Sequence, residues 1–479
     1  MHSSFSPFFV SSKNILPFLC LVFAHFLFPL NDAHPAPNSS RPNILFIAID
    51  DLRPELGCYG NKGIHSPNLD MLATQGRCFL RAYCQEAICS PSRASLLTGS
   101  RPDTIGVIEN RAYFRDLNPQ IVTLPQHFIT HGYTAVYSGK IFHGRMTDEQ
   151  HSWNHKPNRK GLTRPTTPGG NALPGNQRIY AENKDRMVTL YGESSSRGLI
   201  HGPAFEAAQV EDDGYVDGYN TSVAIQTLDE LVQQDKPWFL ALGFVRPHLP
   251  FHAPKKYFDL YDPEEIQLTT SPEPPQNGAS MGLHASFELR TRHGIPKSGP
   301  INESLSRELL HAYYACVSYV DAQIGRIITA IEKNRVRDNT IIVVWGDHGW
   351  HLGEHAIWGK HALFEESLRS PLIISYKGIP KPGEATRSVV ETLDVFPTVC
   401  DLAGLDKPDF LHGQSLLPVL KNPQAKGHPA IAYRGSAQTI RTATHRLIVH
   451  RKGELELYDH TTLEGETKNL AESQPDKAA

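Results

Sequence analysis

Aspartates at the ends of two predicted strands could hold a cation. Asp50 and Asp51 directly follow the apolar run 43–49, and Asp347 closely follows a second apolar run, 340–345. Three carboxylates in one place repel one another unless a cation lies among them. Oxygen ligands favour a hard ion, Ca²⁺ or Mg²⁺, over zinc. Each aspartate could instead cap the helix after its strand, but the pairing of two such strand ends favours a metal site.

Cationic and imidazole side chains in other runs could bind a tetrahedral oxyanion. A guanidinium offers a fixed fork of donors, an ammonium offers a point charge, and a metal would complete the set. The candidates are Arg93, Lys140, His143, His248 and Lys360. Around one acidic metal cluster, these residues predict a site for sulfate or phosphate esters. Such esters hydrolyse so slowly unaided that metal, nucleophile, cations and general acid must act together.

Cys89 is the candidate nucleophile, and it opens the run Cys-Ser-Pro-Ser-Arg at residues 89–93. A tyrosine phosphatase would use a Cys-x5-Arg loop without a metal, whereas this run is Cys-x3-Arg with a proline inside it. The spacing therefore disfavours a thiolate nucleophile. An unmodified buried cysteine would be inert, and this alternative stays open on the residues alone.

The composition indicates a globular enzyme rich in loops. The chain has 479 residues, of which 40% are hydrophobic, with 36 glycines and 36 prolines, a length that fits one large domain and a smaller one. The formal net charge of -3 is nearly balanced, so we expect neither nucleic acid nor an anionic membrane as a partner.

The first 36 residues resemble an export signal. Lys13 precedes an apolar run from residue 15 to 30, and small and proline residues follow it. A membrane anchor is the alternative, but the run is shorter than the roughly 20 residues that span a bilayer. We therefore predict a cleaved signal peptide at 1–36, a secreted or periplasmic protein, and no membrane contact after cleavage.

Short apolar runs alternate with amphipathic stretches, which predicts an α/β fold with a mostly parallel sheet covered by helices on both faces. The clearest helix is expected from about residue 304 to 333, where apolar residues recur at helical spacing. The predicted strands are 43–49, 134–138, 238–244, 340–345 and 371–376. Because ligands bind beyond the carboxyl ends of such strands, the candidate residues that follow them should share one pocket.

Two segments and the C-terminal region complete the predicted organisation. The stretches 161–203 and 263–300 are rich in Gly, Pro, Asn and Ser, so we expect them to be loops that shape the site. Short alternating segments between 430 and 459 predict a small antiparallel sheet. We expect a catalytic domain at 37–421 and a small subdomain at 422–479.

The cysteines do not form a recognisable disulfide framework. Besides Cys89, the predicted mature chain has cysteines at positions 58, 78, 84, 316 and 400. An odd number cannot pair completely, and buried thiols are the simplest account. A single bridge, such as one between Cys78 and Cys84, stays open in an exported protein.

Taken together, these runs resemble the type I sulfatases of the alkaline-phosphatase-like superfamily over the whole mature chain, and within that family they are most similar to the iduronate-2-sulfatase branch. The runs that carry the resemblance are 50–60, 89–103, 139–143, 246–251 and 347–360. Many sulfatases have asparagine at the position of His348, whereas the iduronate branch also has histidine there. This sequence departs from that branch at His351 and in the loops 161–203 and 263–300. We therefore expect substrate choice to depend on these loops.

The resemblance implies a sulfuric ester hydrolase in which a separate maturing enzyme oxidises Cys89 to formylglycine. It implies that Ca²⁺ is bound by Asp50, Asp51, Cys89, Asp347 and His348. It further implies that Arg93 and Lys140 hold the formylglycine and that His143 is the base in sulfate release. His248 and Lys360 would bind sulfate and protonate the leaving oxygen.

The leading hypothesis is a sulfatase acting on a uronic-acid-containing glycan, with 2-O-sulfated iduronate as the first choice. One alternative is a phosphodiesterase or phosphonate monoester hydrolase of the same superfamily, which can share the nucleophile and the metal site. Another is a catalytically inactive carbohydrate-binding homologue, in which Cys89 would remain a thiol.

Overall fold

The computed structural model describes residues 41–144, 146–196 and 198–478, so the predicted signal peptide lies outside the described residues. The strands are β1 Asn43–Asp50, β2 Arg77–Cys78, β3 Ala82–Tyr83, β4 Thr134–Gly139, β5 Phe205–Ala208, β6 Trp238–Pro247, β7 Phe251–Pro254, β8 Thr340–Gly346, β9 His351–Leu352, β10 Trp358–Gly359, β11 Arg369–Ser370, β12 Leu372–Ser375, β13 Val390–Glu391, β14 Ala430–Arg434, β15 Ala437–Arg441, β16 His445–Val449 and β17 Leu455–Asp459.

The α-helices follow the same chain order. They are α1 Pro67–Thr74, α2 Cys89–Thr98, α3 Pro102–Ile105, α4 Phe114–Leu117, α5 Leu124–Thr130, α6 Pro174–Ser196, α7 Val216–Leu231, α8 Lys255–Phe258, α9 Phe287–Arg290, α10 Glu303–Lys333, α11 Glu365–Leu368, α12 Val395–Ala403, α13 Leu417–Lys421 and α14 Pro475–Ala478. In the part of the chain that the structure describes, no helix combines the length and apolar character needed to cross a membrane.

The central sheet has six strands in the order β2-β12-β8-β1-β6-β4. Strands β8, β1, β6 and β4 are parallel, and β12 pairs antiparallel with β8. The prediction of a mostly parallel sheet is confirmed. The direction of β12 was not predictable from its apolar run, because periodicity does not encode strand direction.

Both faces of the sheet are covered, which explains why its strands are apolar throughout. Every residue of β1 is buried. Leu45, Ile47 and Ile49 face one core with α1, α7 and α10, while Ile44 and Phe46 face a second core with α5 and α12. Because parallel strands are buried on both faces, they read as continuous rather than alternating hydrophobic runs.

The two stretches predicted as loops contain helices. Residues 161–203 include the 23-residue helix α6, which has a non-helical residue at Gly192, so the loop prediction is wrong for this part. The glycines, prolines and asparagines of this stretch, some of them within the helix at Pro174, Gly175 and Asn176, hid its helix-forming residues. Residues 263–300 are mostly irregular but include α9, which approaches the site described below.

The four C-terminal strands form a separate antiparallel sheet in the order β14-β15-β16-β17. Its residues Ala430, Ala432, Ile448 and Tyr458 share a small core with residues such as Phe364. The division at residue 422 stays a prediction. The six described cysteines are free.

Candidate active site

Acidic residues gather where β1 and β8 end side by side. Asp50 is the last residue of β1, and Asp347 directly follows β8. The backbone N–H of Asp51 donates to Oδ1 of Asp347 at 3.0 Å, and all three aspartates are at most 1% exposed. The structure therefore brings the three predicted carboxylates into one buried cluster.

Asp51 has a backbone conformation that is rare for a residue with a side chain. Its φ is 58°, in the left-handed region that normally costs free energy outside glycine. Besides the bond to Asp347, its carbonyl oxygen accepts a 2.8 Å hydrogen bond from the hydroxyl of Tyr313 on α10. These two contacts hold the turn that directs the carboxylate of Asp51 toward the cluster.

Cys89 is the first residue of α2, and its side chain is buried among cations. Sγ lies 3.4 Å from Nζ of Lys360 and 3.4 Å from Nε2 of His348. One turn further along α2, Nε of Arg93 donates to Oδ2 of Asp347 at 2.8 Å, and the guanidinium also lies 3.5 Å from Oδ1 of Asp50. Helix α2 thus places residues 89 and 93 on the same side, as neighbours at helical spacing do.

Two lysines approach the aspartates from different directions. Nζ of Lys140 forms an ion pair with Oδ2 of Asp50, and Nζ of Lys360 lies 2.7 Å from Oδ1 of Asp51. Lys140 follows Gly139, whose φ is 80° and where a Cβ would lie 1.9 Å from the carbonyl oxygen of Gly243. Glycine is therefore required at 139 for the chain to turn and present Lys140.

His248 lies at the edge of the same cluster, beside a carboxylate that the sequence analysis missed. Nε2 of His248 lies 3.9 Å from Oδ2 of Asp51 and 3.1 Å from Oε1 of Glu288 on α9. The other Glu288 oxygen lies 3.6 Å from Nζ of Lys360. Glu288 therefore connects His248 and Lys360 electrostatically.

Burial and charge act in opposite directions on the acids. Burial favours a raised pKa for Asp50, but the charges of Lys140, His248 and Arg93 hold the pKa well below its usual range. Burial raises the pKa of Asp347 to about 7 even though His348 and Arg93 lower it. The protein's own cations thus compensate Asp50 more fully than Asp347.

The basic groups of the cluster are held in their charged forms. Burial lowers the pKa of His248, but the charges of Asp51, Asp50 and Glu288 together outweigh it and raise the pKa to about 10. In His348, Asp347 and Cys89 likewise outweigh burial and raise the pKa to about 9. The result is a compact array of alternating charges suited to an anionic ligand.

The residues present fit a hard cation. Oδ2 of Asp51 is buried and has no hydrogen-bond partner among the residues described. Ligand atoms of Asp50, Cys89, Asp347 and His348 lie within 4.8 Å of one another. A buried carboxylate oxygen without a partner is costly unless a ligand satisfies it, and oxygen-rich sets suit Ca²⁺ or Mg²⁺.

His143 lies on the wall of a cavity of about 560 Å³ that opens beside Asp50, Lys140 and His248. Its Nδ1 is buried without a hydrogen-bond partner in the described part of the chain. The other basic candidates each lie within 4 Å of an aspartate. His143 is instead connected to the site through this cavity. Arg159, Arg164 and Arg246 also line the cavity.

Besides Glu288, the sequence analysis missed two buried arginines in the neighbourhood of the cluster. Arg246 and Arg292 are each 8% exposed, and burial lowers the pKa of Arg292 to about 10 although Glu288 raises it. Arg246 lies in the run 246–251, two residues before the predicted site residue His248. This closeness in sequence could have identified it as a site residue. Glu288 and Arg292 lie in an irregular segment and carried no such signal.

The sequence and the fold match known proteins over most of the chain. Residues 42–405 match the sulfatase family model, and residues 353–478 match the model for the C-terminal part of N-sulphoglucosamine sulphohydrolase. The sequence is 33% identical to iduronate 2-sulfatase of Mus musculus over 404 residues, which cover 76% of this chain and 69% of the relative.

Two solved structures share the fold at lower sequence identity. One is a protein in complex with its substrate D-glucosamine-2-N,6-O-disulfate, with a TM-score of 0.71, 22% identity, and coverage of 91% of this chain and 95% of that chain. The other is a phosphonate monoester hydrolase from Silicibacter pomeroyi, with a TM-score of 0.69, 21% identity, and coverage of 91% and 93%.

Proposed function

Since the chain belongs to the sulfatase family and is a sulfuric ester hydrolase, we propose that its substrate is a uronic-acid-containing glycan, with 2-O-sulfated iduronate as the first choice. Two features support this choice. One is the similarity to iduronate 2-sulfatase of Mus musculus. The other is the group of arginines around the cavity at His143, because guanidinium groups suit the carboxylates and sulfates of such glycans. The predicted export signal would place the enzyme outside the cytoplasm.

The proposed reactive group is formylglycine, made from Cys89 by a separate maturing enzyme. Its hydrated aldehyde would supply the hydroxyl that attacks sulfur, so Cys89 would contribute no thiol chemistry. The observation that carries the proposal is the position of Cys89 Sγ, 3.4 Å from both Lys360 Nζ and His348 Nε2. A group formed at this position would be oriented by the start of α2 and by two cations.

Asp50, Asp51, Asp347, His348 and residue 89 would hold a Ca²⁺ ion, with Mg²⁺ as the less suitable choice. When bound, the ion would supply positive charge that polarises the sulfate ester. The buried and unpartnered oxygen of Asp51 supports this assignment. Arg93 would keep Asp347 in place through its 2.8 Å ion pair.

The remaining residues would bind sulfate and move protons. Lys140 and Arg93 would fix the reactive side chain, and Lys360 would bind a sulfate oxygen and meet the uronate carboxylate. His248 would donate a proton from Nε2 to the leaving alcohol oxygen, since its Nδ1 is held by the carbonyl oxygen of Leu249 at 2.6 Å. His143 would accept the proton during sulfate release, through a ring nitrogen that faces the cavity.

The decisive experiment measures sulfate release from 2-sulfated iduronate oligomers by the wild-type enzyme and by Cys89→Ala. We expect the variant to lose at least about 10³-fold in kcat, as enzymes do without their nucleophile. In the active enzyme, the peptide containing residue 89 should be about 18 Da lighter than the cysteine form, because sulfur and two hydrogens are replaced by oxygen.

Three outcomes would contradict the proposal. Equal turnover by Cys89→Ala would remove residue 89 from the mechanism, and an unmodified thiol in protein from the native host would favour an inactive carbohydrate-binding homologue. Aryl sulfate and aryl phosphodiester substrates should be compared in parallel. Faster turnover of the phosphodiester would favour a phosphodiesterase or phosphonate monoester hydrolase.

A further inference from the structure

A second group of potential metal ligands lies in and next to the hairpin β9–β10, which directly precedes Lys360. It consists of His351 on β9, His355 in the turn before β10, and Glu366 on α11. One ligand atom from each of the three residues lies within 4.8 Å of the others. Nε2 of His351 is 3.8 Å from Oε2 of Glu366, which is too long for a hydrogen bond.

The atoms that converge in this group have no partners. Nε2 of His351, Nδ1 of His355 and Oε2 of Glu366 are all buried, and none has a hydrogen-bond partner among the described residues. The two histidines are 0% and 3% exposed. Buried polar atoms of native proteins are normally satisfied, so three unsatisfied atoms facing one another indicate a missing ligand.

The surroundings orient the rings as a metal site would require. Oγ of Ser367 lies 3.0 Å from Nδ1 of His351, which leaves Nε2 of that ring for the group. Metal-binding histidines commonly have their second ring nitrogen held in this way. The ring of His355 packs against Phe364 with centroids 4.6 Å apart, so its orientation is also restricted.

We propose that His351, His355 and Glu366 form a second metal site that binds Zn²⁺ or a similar transition-metal ion, distinct from the Ca²⁺ site. Two imidazoles and one carboxylate suit zinc, whereas Ca²⁺ prefers oxygen ligands. Burial lowers the pKa of both histidines, which keeps them in the neutral form that binds metal. Burial, together with the charges of Glu466 and Glu354, raises the pKa of Glu366 to about 8 although Arg53 lowers it.

The position of this site suggests a structural role. Residues 351 and 355 lie in the hairpin β9–β10, directly before Lys360, and residue 366 lies after it on α11. A metal bound to all three would join the two segments on either side of Lys360. It would therefore stabilise the hairpin that presents Lys360 to Cys89.

Two other groups of acids and histidines serve as internal comparisons, because their atoms already have partners. In one, Nε2 of His428 lies 2.8 Å from Oδ2 of Asp394, and Glu391 is paired with Arg101. In the other, Glu365 and Glu466 are both paired with Arg446. An arginine in the group already supplies the positive charge, so neither should bind a metal.

The test is a Zn²⁺ titration of the full-length protein, first stripped of metal and then supplied with excess Ca²⁺ to fill the proposed active-site position. The proteins compared are the wild type, His351→Gln, Glu366→Gln and the control His428→Gln. We expect one Zn²⁺ per chain in the wild type and in the control. Each ligand variant should bind at least about 10-fold more weakly. Equal binding by the ligand variants, or no zinc in the wild type, would overturn the proposal.

A second measurement does not depend on how well the variants fold. Crystals of the wild-type protein soaked in Zn²⁺ should give an anomalous scattering peak between residues 351, 355 and 366. Substitution with Co²⁺ should give the intense visible absorption of a four-coordinate ion. A peak only among the aspartates of the active site, or only a water molecule at the second site, would show that the proposal is wrong.

Discussion

Nε2 of His248 lies 3.1 Å from Oε1 of Glu288, a residue on the short helix α9. Glu288 also lies 3.6 Å from Lys360, so one carboxylate is shared by the proposed proton donor and the proposed sulfate-binding cation. Burial would raise the pKa of Glu288, but Lys360 and His248 hold it well below its usual range. Glu288 is therefore a negatively charged residue of the site.

Glu288→Gln should lower kcat by roughly 10- to 100-fold while changing KM little, because a misplaced or weakened acid loses part of its 10² to 10⁴ contribution. Glutamine keeps the size of the side chain but removes the charge that orients both neighbours. Steady-state kinetics on a sulfated oligosaccharide would measure this. Glu273→Gln, at an exposed position of the same segment, is the matched control, and an equal effect in both variants would remove Glu288 from its positioning role.

The proposed Ca²⁺ site predicts that a selective chelator abolishes activity and lowers Tm. When the free ligand concentration is 100 times the Kd, binding stabilises the folded protein by about 2.7 kcal/mol. Chelation removes this contribution. Activity and Tm should return when Ca²⁺ is added back.

Asp347→Asn should weaken this response to Ca²⁺, since it removes one of the three buried carboxylates. Asp338→Asn is the control. Asp338 lies just before β8, the strand that Asp347 follows, but its side chain is 73% exposed and paired with Lys377. Differential scanning fluorimetry with and without chelator would compare them. A chelator effect of equal size in Asp347→Asn and the wild type would argue against metal binding at Asp347.

Arg164→Gln should raise KM for sulfated oligosaccharides by roughly twofold to fivefold, as expected when an exposed ion pair of up to about 1 kcal/mol is lost. Arg164 is exposed and lines the cavity beside His143. A small aryl sulfate, which occupies the reactive end of this cavity without reaching Arg164, should show no change. Arg178→Gln, at an exposed position on α6, is the control, and an unchanged KM in Arg164→Gln would place the glycan elsewhere.

The pair of His428 and Asp394 should make stability depend on pH. Its hydrogen bond to Asp394 raises the pKa of His428 to about 9, above the value of about 6.5 in an unfolded chain. A raised histidine pKa contributes stability that is complete below about pH 6.5 and is lost as the pH rises through about 9.

The Tm difference between wild type and His428→Gln should therefore be largest near pH 6 and should shrink toward about pH 10. A hydrogen bond to a charged group is worth about 2 kcal/mol, which sets the scale of the low-pH difference. His412→Gln serves as a comparison outside the ion pair with Asp394. A difference that stays constant across this pH range would mean that the charge of His428 contributes nothing.

The sequence alone determined five of the six strands of the central sheet, all but β2, and the polar residues that follow them. Run 43–49 is apolar because β1 is covered on both faces, and Asp50 and Asp51 mark the point where that cover ends. The carboxyl ends of parallel strands lie at one edge of a sheet. The proximity of Asp50, Lys140 and Asp347 could therefore be predicted without knowledge of side-chain contacts. The spacing within 89–93 argued against a thiolate loop, but only the structure showed that helix α2 places Cys89 and Arg93 on one face.

Only the tertiary structure decided which irregular segments reach the cluster. Glu288 and Arg292 belong to a stretch without periodicity, and their positions depend on how that stretch folds over α10 and the hairpin at Lys360 rather than on local sequence preferences. The unpartnered atoms of His351, His355 and Glu366 are visible only once burial and hydrogen bonds are known. Local sequence encodes propensity and periodicity, whereas long-range contacts of single polar residues arise from the packing of the whole chain.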